Sequence, residues 1–232
     1  MADKPKRASE YKSEQVELVR ATCLYVATKL GDLMNDVVVV GGLVPSLLID
    51  QGTLPEGASA HVGTMDLDVG LKLALLDEGR YRISPSLATD QGGKLRDIEK
   101  DFAAIIAPGL ALAFQDRRRV RIEGRTIFGE KATREVWVCG PGAFVVLKAL
   151  AFLGRGEDKD AYDLYYLVRN FGAGVEDVAV CLRPLLVDGE AQRALEVLRN
   201  DFLNHEGIGP RRVAEFLQAA PTTRSRPTWS GS

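Results

Sequence analysis

Hydrophobic and polar positions in the first part of the chain follow two different spacings. From Ser13 to near Gly31, apolar side chains recur every three or four residues, which predicts an amphipathic helix. The uninterrupted run Val37–Val40, directly before two glycines, predicts a buried strand that ends in a tight turn. Helical spacing follows over 43–50, and a further strand is predicted around Asp66.

The second half of the chain changes from strands to helices. Helical periodicity predicts a helix over 94–106, and alternation over 119–128 and 135–139 predicts two or three strands that are antiparallel neighbours. After residue 140 only helices are predicted, over 141–152, 158–170, 175–187, 190–203 and 210–219. We therefore expect an α+β fold with an N-terminal helix and mixed sheet in 1–140, a helical domain in 141–220 and a flexible polar tail in 221–232.

Composition excludes several classes of protein. With 46% hydrophobic and 27% charged residues in 232, the chain can bury a core, and its net charge of -2 argues against coating nucleic acid by bulk electrostatics. The three cysteines lie far apart in apolar segments, which predicts neither disulfides nor a zinc site. The polar N-terminus and the short apolar runs predict a cytoplasmic protein.

Asp66 and Asp68 are the first candidates for chemistry. Two positions apart on a strand, their side chains would point the same way and could bind one or two Mg²⁺ ions. Leu67, Val69 and Leu71 would then face the core. The alternative is a solvated strand edge with two surface aspartates, but the buried flanks and the preceding glycine turn favour a metal site.

The Gly41-Gly42 pair is a candidate phosphate turn. It lies between a predicted strand and a predicted helix, where backbone N–H groups are free to bind phosphate oxygens. A simple tight turn is an equally good interpretation of the pair alone. Thr64 is the nearest candidate hydroxyl, whereas Ser46 lies a full turn into the helix and is expected to pack.

Lys148 is the only charged residue from Pro141 to Leu153, so we expect it to point into a cleft, toward phosphates or toward Asp163. Asp160 and Asp163 are three residues apart and share one helix face. First-turn electrostatics could explain Asp160, and an ion pair with Lys159 or Lys148 could explain Asp163.

A local basic run suits a phosphate backbone or a nucleotide tail, although a solvated strand face explains it equally well. The histidines His61 and His205 have no metal-site spacing, but His61 is close enough to the aspartate strand to touch a ligand. The basic run consists of Arg117, Arg118, Arg119, Arg121 and Arg125.

In this order, these motifs resemble the polymerase-β-like nucleotidyltransferases and, within them, the AbiEii/AbiGii toxin family that includes the MenT toxins. The likeness spans roughly residues 35 to 170, and its most family-specific part is the last segment. The motifs are Gly41-Gly42, Thr64-x-Asp66-x-Asp68, Lys148 and Lys159-Asp160-x-x-Asp163-Leu164-Tyr165-Tyr166-Leu167.

The resemblance implies a mixed-sheet catalytic core in 1–140 that is closed by the helical domain, and transfer of a nucleoside monophosphate (NMP) from a nucleoside triphosphate (NTP). The acceptor would be RNA, by analogy the tRNA 3′ end, and the chain would be the toxin of a toxin–antitoxin pair. Mg²⁺ or Mn²⁺ would be the cofactor. The implied roles are metal ligands for Asp66 and Asp68, nucleotide binding for Gly41, Gly42, Thr64, Lys148 and Asp160, and a second-lobe carboxylate for Asp163, with Asp66, Asp68, Lys148 and Asp163 forming the catalytic set.

The chain departs from the family pattern in two places. Many superfamily members have glycine-serine where this chain has Gly41-Gly42, and no third strand carboxylate is evident beyond Glu123, which arginines flank. Two other functions therefore stay open: a small-molecule nucleotidyltransferase that acts on an antibiotic or metabolite, and a non-catalytic nucleotide-binding protein.

Overall fold

A computed structural model of the chain describes residues 5–54, 58–71, 95–99, 102–105 and 107–218. The described helices are α1 Ser13–Leu30, α2 Val44–Leu48, α3 Leu112–Gln115, α4 Pro141–Arg155, α5 Asp158–Asn170, α6 Val175–Leu182, α7 Gly189–Val197 and α8 Ile208–Leu217. The described strands are β1 Val37–Val40, β2 Asp68–Leu71, β3 Leu95–Glu99, β4 Phe102–Ile105, β5 Arg117–Arg125 and β6 Lys131–Cys139. Short 3-10 turns occupy Ala8–Glu10, Gly31–Asp36, Gly41–Leu43 and Arg183–Val187, and a π turn occupies Leu198–Phe202.

The predicted α+β class is confirmed, as are most of its elements. Helix α1, strand β1 and helix α5 have the predicted bounds, and the predicted strand pair is β5 and β6. The helices predicted over 175–187 and 190–203 begin near their predicted starts but tighten or widen into 3-10 and π turns before they end. The division at residue 140 stays a prediction, and the tail 221–232 lies outside the described residues.

The helix predicted over 94–106 is wrong. Strands β3 and β4 occupy this segment and pair antiparallel, with Leu95 opposite Ile105 and a register shift between Asp97 and Glu99. A short apolar run such as the one in β4 is not long enough to show whether its periodicity is that of a helix or of a strand. The spacing of apolar residues therefore gave the wrong element here.

The predicted orientation of the aspartate strand is also wrong. Asp66 lies in a bend, and β2 begins only at Asp68. Of the three residues expected in the core, Leu67 is partly buried against it, whereas Val69 and Leu71 are exposed. The physical reason lies at Gly70, which is buried against the side chains of Val38 and Leu110, so the face of β2 without large side chains is the one that packs.

The central sheet has four strands in the order β2-β1-β6-β5. Strands β1 and β6 are parallel, with Val39 opposite Val138, whereas β2 and β5 are antiparallel to their neighbours. The end of β1, the start of β2 and the start of β5 therefore lie at one edge of the sheet. Asp68 and Arg117 occupy this edge on its two outermost strands.

One hydrophobic cluster joins the sheet to the C-terminal helices. It includes Val38 and Val138 from the sheet, Val146 from α4 and Ala194 from α7. A smaller cluster around Tyr162, Tyr166 and Phe216 packs α5 against α8. None of the described helices has the length and apolar character needed to cross a bilayer.

Candidate functional site

The first part of the site is the turn after β1. Gly41 has φ 74°, which favours glycine, and a Cβ atom placed there would lie 2.2 Å from Asp68 Oδ2. The missing side chain thus lets the carboxylate of Asp68 lie directly against the turn. The predicted phosphate turn and one predicted metal ligand are therefore adjacent.

The same turn contacts residues from two other segments. A Cβ atom on Gly42 would lie 2.8 Å from Thr64 Oγ1 and 3.7 Å from Asp163 Oδ2. Thr64 is buried, and its hydroxyl lies 3.4 Å from the backbone nitrogen of Asp66. Thr64 therefore links the turn to the aspartate segment, and α5 closes the turn from the other side.

Asp163 is the centre of a buried ionic cluster. Its Oδ1 accepts hydrogen bonds from His61 Nε2, at 2.9 Å, and from Lys159 Nζ, while its Oδ2 lies 2.7 Å from Lys148 Nζ. Burial alone would raise the pKa of Asp163, but the charges of Lys148 and Lys159 outweigh it and lower the pKa below its usual value. Asp163 is therefore ionised, and both of its oxygens are engaged.

Lys148 lies between two carboxylates. Its Nζ is 2.9 Å from Asp160 Oδ1, and Asp160 also accepts from Arg155 Nε at 2.6 Å and Nη2 at 2.8 Å. Burial lowers the pKa of Lys148, but Asp163 and Asp160 raise it above its ordinary value. Asp160 is completely buried, so a direct nucleotide contact through this residue would require Arg155 or Lys148 to move.

The loop between α4 and α5 places these groups opposite one another. Gly156 ends α4 in the left-handed region, and α5 begins at Asp158. The start of α4 is fixed by Asp116, whose Oδ2 accepts the backbone N–H of Ala143 at 3.0 Å. This short connection brings Lys148 on α4 to the carboxylates of α5.

The sequence did not predict the role of His61. Its Nδ1 accepts the N–H of Gly63 at 3.1 Å and lies 3.1 Å from Ser46 Oγ, so the proton is on Nε2, which donates to Asp163. Burial lowers the pKa of His61 to about 4, against the opposing hydrogen bond to Asp163. A neutral imidazole therefore orients Asp163. The two residues are 102 positions apart, and no local pattern in the sequence connects them.

Asp66 and Asp68 are exposed at the rim of this cluster. The Asp68 charge acts on Arg155, and the Asp66 charge acts on Tyr11, whose pKa is raised to about 12 mainly by burial and then by Asp163. Within the described residues, no group of three or more His, Cys, Asp or Glu side chains could hold a metal ion. Among the described residues, Asp66 and Asp68 are the carboxylates exposed at this rim.

The basic run divides between the two faces of β5. Arg117 and Arg119 lie over the Trp137 ring, with guanidinium carbons 4.1 and 5.1 Å from its centroid. Because side chains alternate along a strand, Arg121 and Arg125 lie on the same face of β5. Arg118 faces the other way, toward Cys181 Sγ at 3.3 Å.

Glu123, the candidate third carboxylate, pairs with Arg121 at 3.4 Å. It lies six residues along β5 from Arg117, about 20 Å from the sheet edge that carries the site. A metal-binding role for Glu123 alongside Asp68 is therefore not supported by this position.

No family model, curated protein or solved structure matches this chain. The functional inference therefore rests on the side chains that the fold brings together. The described structure gathers these predicted site residues around one turn: Gly41, Gly42, Thr64, Asp66, Asp68, Lys148, Asp160 and Asp163.

Proposed function

We propose that the chain is a nucleotidyltransferase that transfers an NMP from an NTP to RNA. One observation carries this proposal: the Gly41-Gly42 turn is contacted by Asp68 on one side and by Thr64 and Asp163 on the other. In this interpretation, the sheet is a polymerase-β-like core, and the helices from residue 141 onward form the lobe that covers the nucleotide.

The two exposed carboxylates suit a divalent cation that is shared with a substrate. Mg²⁺ is commonly held by one or two carboxylates together with phosphate oxygens and water, and Asp66 and Asp68 provide that number. The absent Cβ of Gly41 lets Asp68 Oδ2 lie directly against the turn. When bound, Mg²⁺ or Mn²⁺ would neutralise charge on the phosphate oxygens.

The buried cluster holds cationic side chains beneath the turn. Lys148, Lys159 and Arg155 carry three positive charges, and Asp160, Asp163 and Glu157, which lies 3.6 Å from Arg155, balance them when all six are ionised. The ammonium group of Lys148, held in this fixed network, would stabilise the leaving pyrophosphate without reorganisation during the reaction. In this mechanism Asp163 positions Lys148, because both of its oxygens are engaged.

An RNA acceptor is favoured by the arginine face of β5, defined as Arg117, Arg119, Arg121 and Arg125. Arg117 begins this face at the sheet edge that also carries Asp68. Guanidinium groups over an indole ring provide both phosphate contacts and a stacking surface for bases. A tRNA 3′ end is the proposed acceptor, and the chain would act as the toxin of a pair with a cognate antitoxin.

A small-molecule acceptor is the second candidate. Glu135 lies 3.2 Å from Arg119, and Glu123 lies 3.4 Å from Arg121, so acidic partners reduce the positive field of this face. An enzyme for an antibiotic or metabolite would not need the arginine face. Its transfer activity would then persist without RNA.

Each α-labelled NTP, incubated with Mg²⁺ and total cellular RNA, provides the direct test. We expect label in tRNA with the wild type, and at least a hundredfold loss in Asp66→Ala and Asp68→Ala, since each removes a ligand of the cation that would neutralise the transferring phosphate. Glu196→Gln, at an exposed carboxylate on α7 and outside the residues named for the site and the arginine face, is the control. Undiminished labelling in both site variants would refute the assignment, and labelling of small hydroxyl compounds in place of RNA would establish the second candidate.

A further inference from the structure

A cavity lies beside the ionic cluster, on the side of α5 that faces α8. It measures about 140 Å³ and is lined by Tyr162, Tyr165, Tyr166, Arg169 and Asn170, together with Ser59 and neighbouring residues. Drug-sized ligands usually occupy about 300 Å³ or more, so this cavity suits a single ring system.

Asn170 gives this cavity an unusual polar wall. Its Nδ2 donates to the carbonyl oxygen of Tyr166 at 2.8 Å, which fixes the orientation of the amide. Its Oδ1 is buried and has no hydrogen-bond partner within the described part of the chain. A buried acceptor without a partner is unfavourable, and an N–H donor on a ligand would relieve it.

The aromatic walls have different roles. The Tyr162 ring is stacked on His61 and also packs against Phe216, so its surfaces are already covered. Tyr165 is exposed, and the Arg169 guanidinium carbon lies 5.7 Å from its ring centroid. Arg169 Nη1 also donates to the Tyr165 hydroxyl, so Tyr165 offers a stacking surface with a cation held against its ring.

These features select a ligand class. A hydrocarbon would leave Asn170 Oδ1 without a partner, a cationic amine would be repelled by Arg169, and a simple carboxylate would have neither a flat face nor an N–H donor. A nucleobase that carries a phosphate satisfies all three groups: its ring stacks on Tyr165, an N–H donates to Asn170, and its phosphate pairs with Arg169.

We propose that this cavity binds the base of a nucleotide, with Tyr165 as the stacking platform and Asn170 as the hydrogen-bond acceptor. Because Asn170 Oδ1 is buried, a hydrogen bond from the base requires its neighbours to move aside. Asn170 lies seven residues after Asp163 on the same helix, about 10 Å along its axis. As a subsite of the transfer reaction, the cavity rests on the proposed function, but its affinity for nucleotides can be measured independently.

Binding of AMP, GMP, CMP and UMP to the full chain, by isothermal titration or ligand-observed NMR, tests this site without any transfer step. We expect at least one of the four to bind, and ribose 5-phosphate, which has the phosphate but no base, to bind at least tenfold more weakly. Tyr165→Ala and Asn170→Leu should each weaken binding about tenfold, whereas Tyr25→Ala, at a tyrosine on α1, should not. Melting temperatures near that of the wild type would show that the variants fold.

Equal binding of ribose 5-phosphate, or unchanged affinity in both cavity variants, would overturn the proposal. If transfer is never observed while Tyr165-dependent binding persists, the transferase proposal fails and the base site stands.

Transfer kinetics distinguish the two possible sources of the base. A raised KM for the NTP in Tyr165→Ala would assign the cavity to the donor nucleotide, and a raised KM for RNA would assign it to the acceptor. A change in kcat with neither KM affected would contradict a binding role for this cavity.

Discussion

At the scale of single residues, Gly41 makes a sharp test of the site, because the chain contains a matched control. Gly41 and Gly129 have φ values of 74° and 79°, so alanine is strained by about 1 kcal/mol at either position. A Cβ on Gly41 would collide with the Asp68 carboxylate, whereas a Cβ on Gly129 would have no heavy atom within 4 Å. The two substitutions therefore share the backbone strain and differ in the effect on Asp68.

We expect Gly41→Ala to lower the rate of nucleotidyl transfer at least tenfold and Gly129→Ala to leave it within twofold. Because the backbone strain is about 1 kcal/mol at both positions, both variants should lose similar amounts of melting temperature. Transfer rates and thermal denaturation of the two variants provide the measurement. Equal activity in both variants would contradict a role for the contact between Gly41 and Asp68.

His61 predicts how stability depends on pH. Its pKa falls from an ordinary 6.5 to about 4 in the folded protein, so the unfolded chain binds more protons between these values. Stability should therefore rise with pH across this window and be lost as pH falls from 6.5 to 4. The integrated contribution of His61 is about 3 kcal/mol.

Urea unfolding at pH 4 and pH 7 tests this expectation, with His61→Gln as the comparison. Glutamine keeps a neutral donor near Asp163 but cannot be protonated, so the difference in unfolding free energy between the two pH values should shrink by about 3 kcal/mol. Asp160 and Asp163 have lowered pKa values, so their contributions are lost only at more acidic pH. An unchanged difference in His61→Gln would show that other groups cause the pH dependence.

At the scale of elements, the two faces of β5 allow the contributions of its arginines to RNA binding to be measured separately. The side chains of Arg119, Arg121 and Arg125 share one face, whereas Arg118 lies on the other face beside Cys181. If RNA lies along the first face, each phosphate contact contributes about 0.7 to the slope of log affinity against log salt concentration. Arg118, on the other face, should contribute nothing to this slope.

RNA binding to Arg119→Gln, Arg121→Gln and Arg125→Gln, measured between low and physiological salt, should show a slope reduced by about 0.7 for each arginine that contacts phosphate. Arg118→Gln is the matched control from the same strand. If all four variants keep the wild-type slope, RNA binds elsewhere. A reduced slope in Arg118→Gln alone would place RNA on the opposite face of β5.

The same scale shows which elements could be predicted from sequence. Strand β1 and helices α1 and α5 have strong local patterns, and their predicted bounds are correct. The orientation of β2 depends on Gly70 packing against Val38, a contact between distant segments that periodicity does not record. Strands β3 and β4 are too short for periodicity to distinguish them from a helix.

The site was predictable where the sequence carried the chemistry in adjacent residues. The glycine pair, Asp66 and Asp68 were found from their neighbours in the chain, and Lys148 was found because a charge in an apolar helix requires a partner. Arg155 on Asp160 and His61 on Asp163 were missed. His61 lies outside the helices and reaches Asp163 only through the fold, and Arg155 reaches Asp160 across the connection between α4 and α5, so helical or strand spacing records neither contact.

At the scale of the whole molecule, the two halves predicted from sequence share one hydrophobic core. Val138 in the sheet and Val146 in α4 are both fully buried and belong to the same cluster, and α4 also carries Lys148 of the site. Unfolding either half would expose this core and separate the Gly41-Gly42 turn from Asp163. The stability of the site is therefore expected to be the stability of the whole described fold.

Guanidinium denaturation should consequently show one transition. In a Trp229→Phe background, fluorescence reports Trp137 in the sheet, whereas far-UV circular dichroism is dominated by the helices, and the two midpoints should coincide. Val38→Ala in the sheet and Val146→Ala in α4 should each lower the free energy of unfolding by about 2 kcal/mol. Each substitution should therefore shift the fluorescence and circular dichroism midpoints together to lower guanidinium concentration. Separate midpoints would mean that the halves unfold independently, and the cluster around Asp163 would then form only when two stable domains dock.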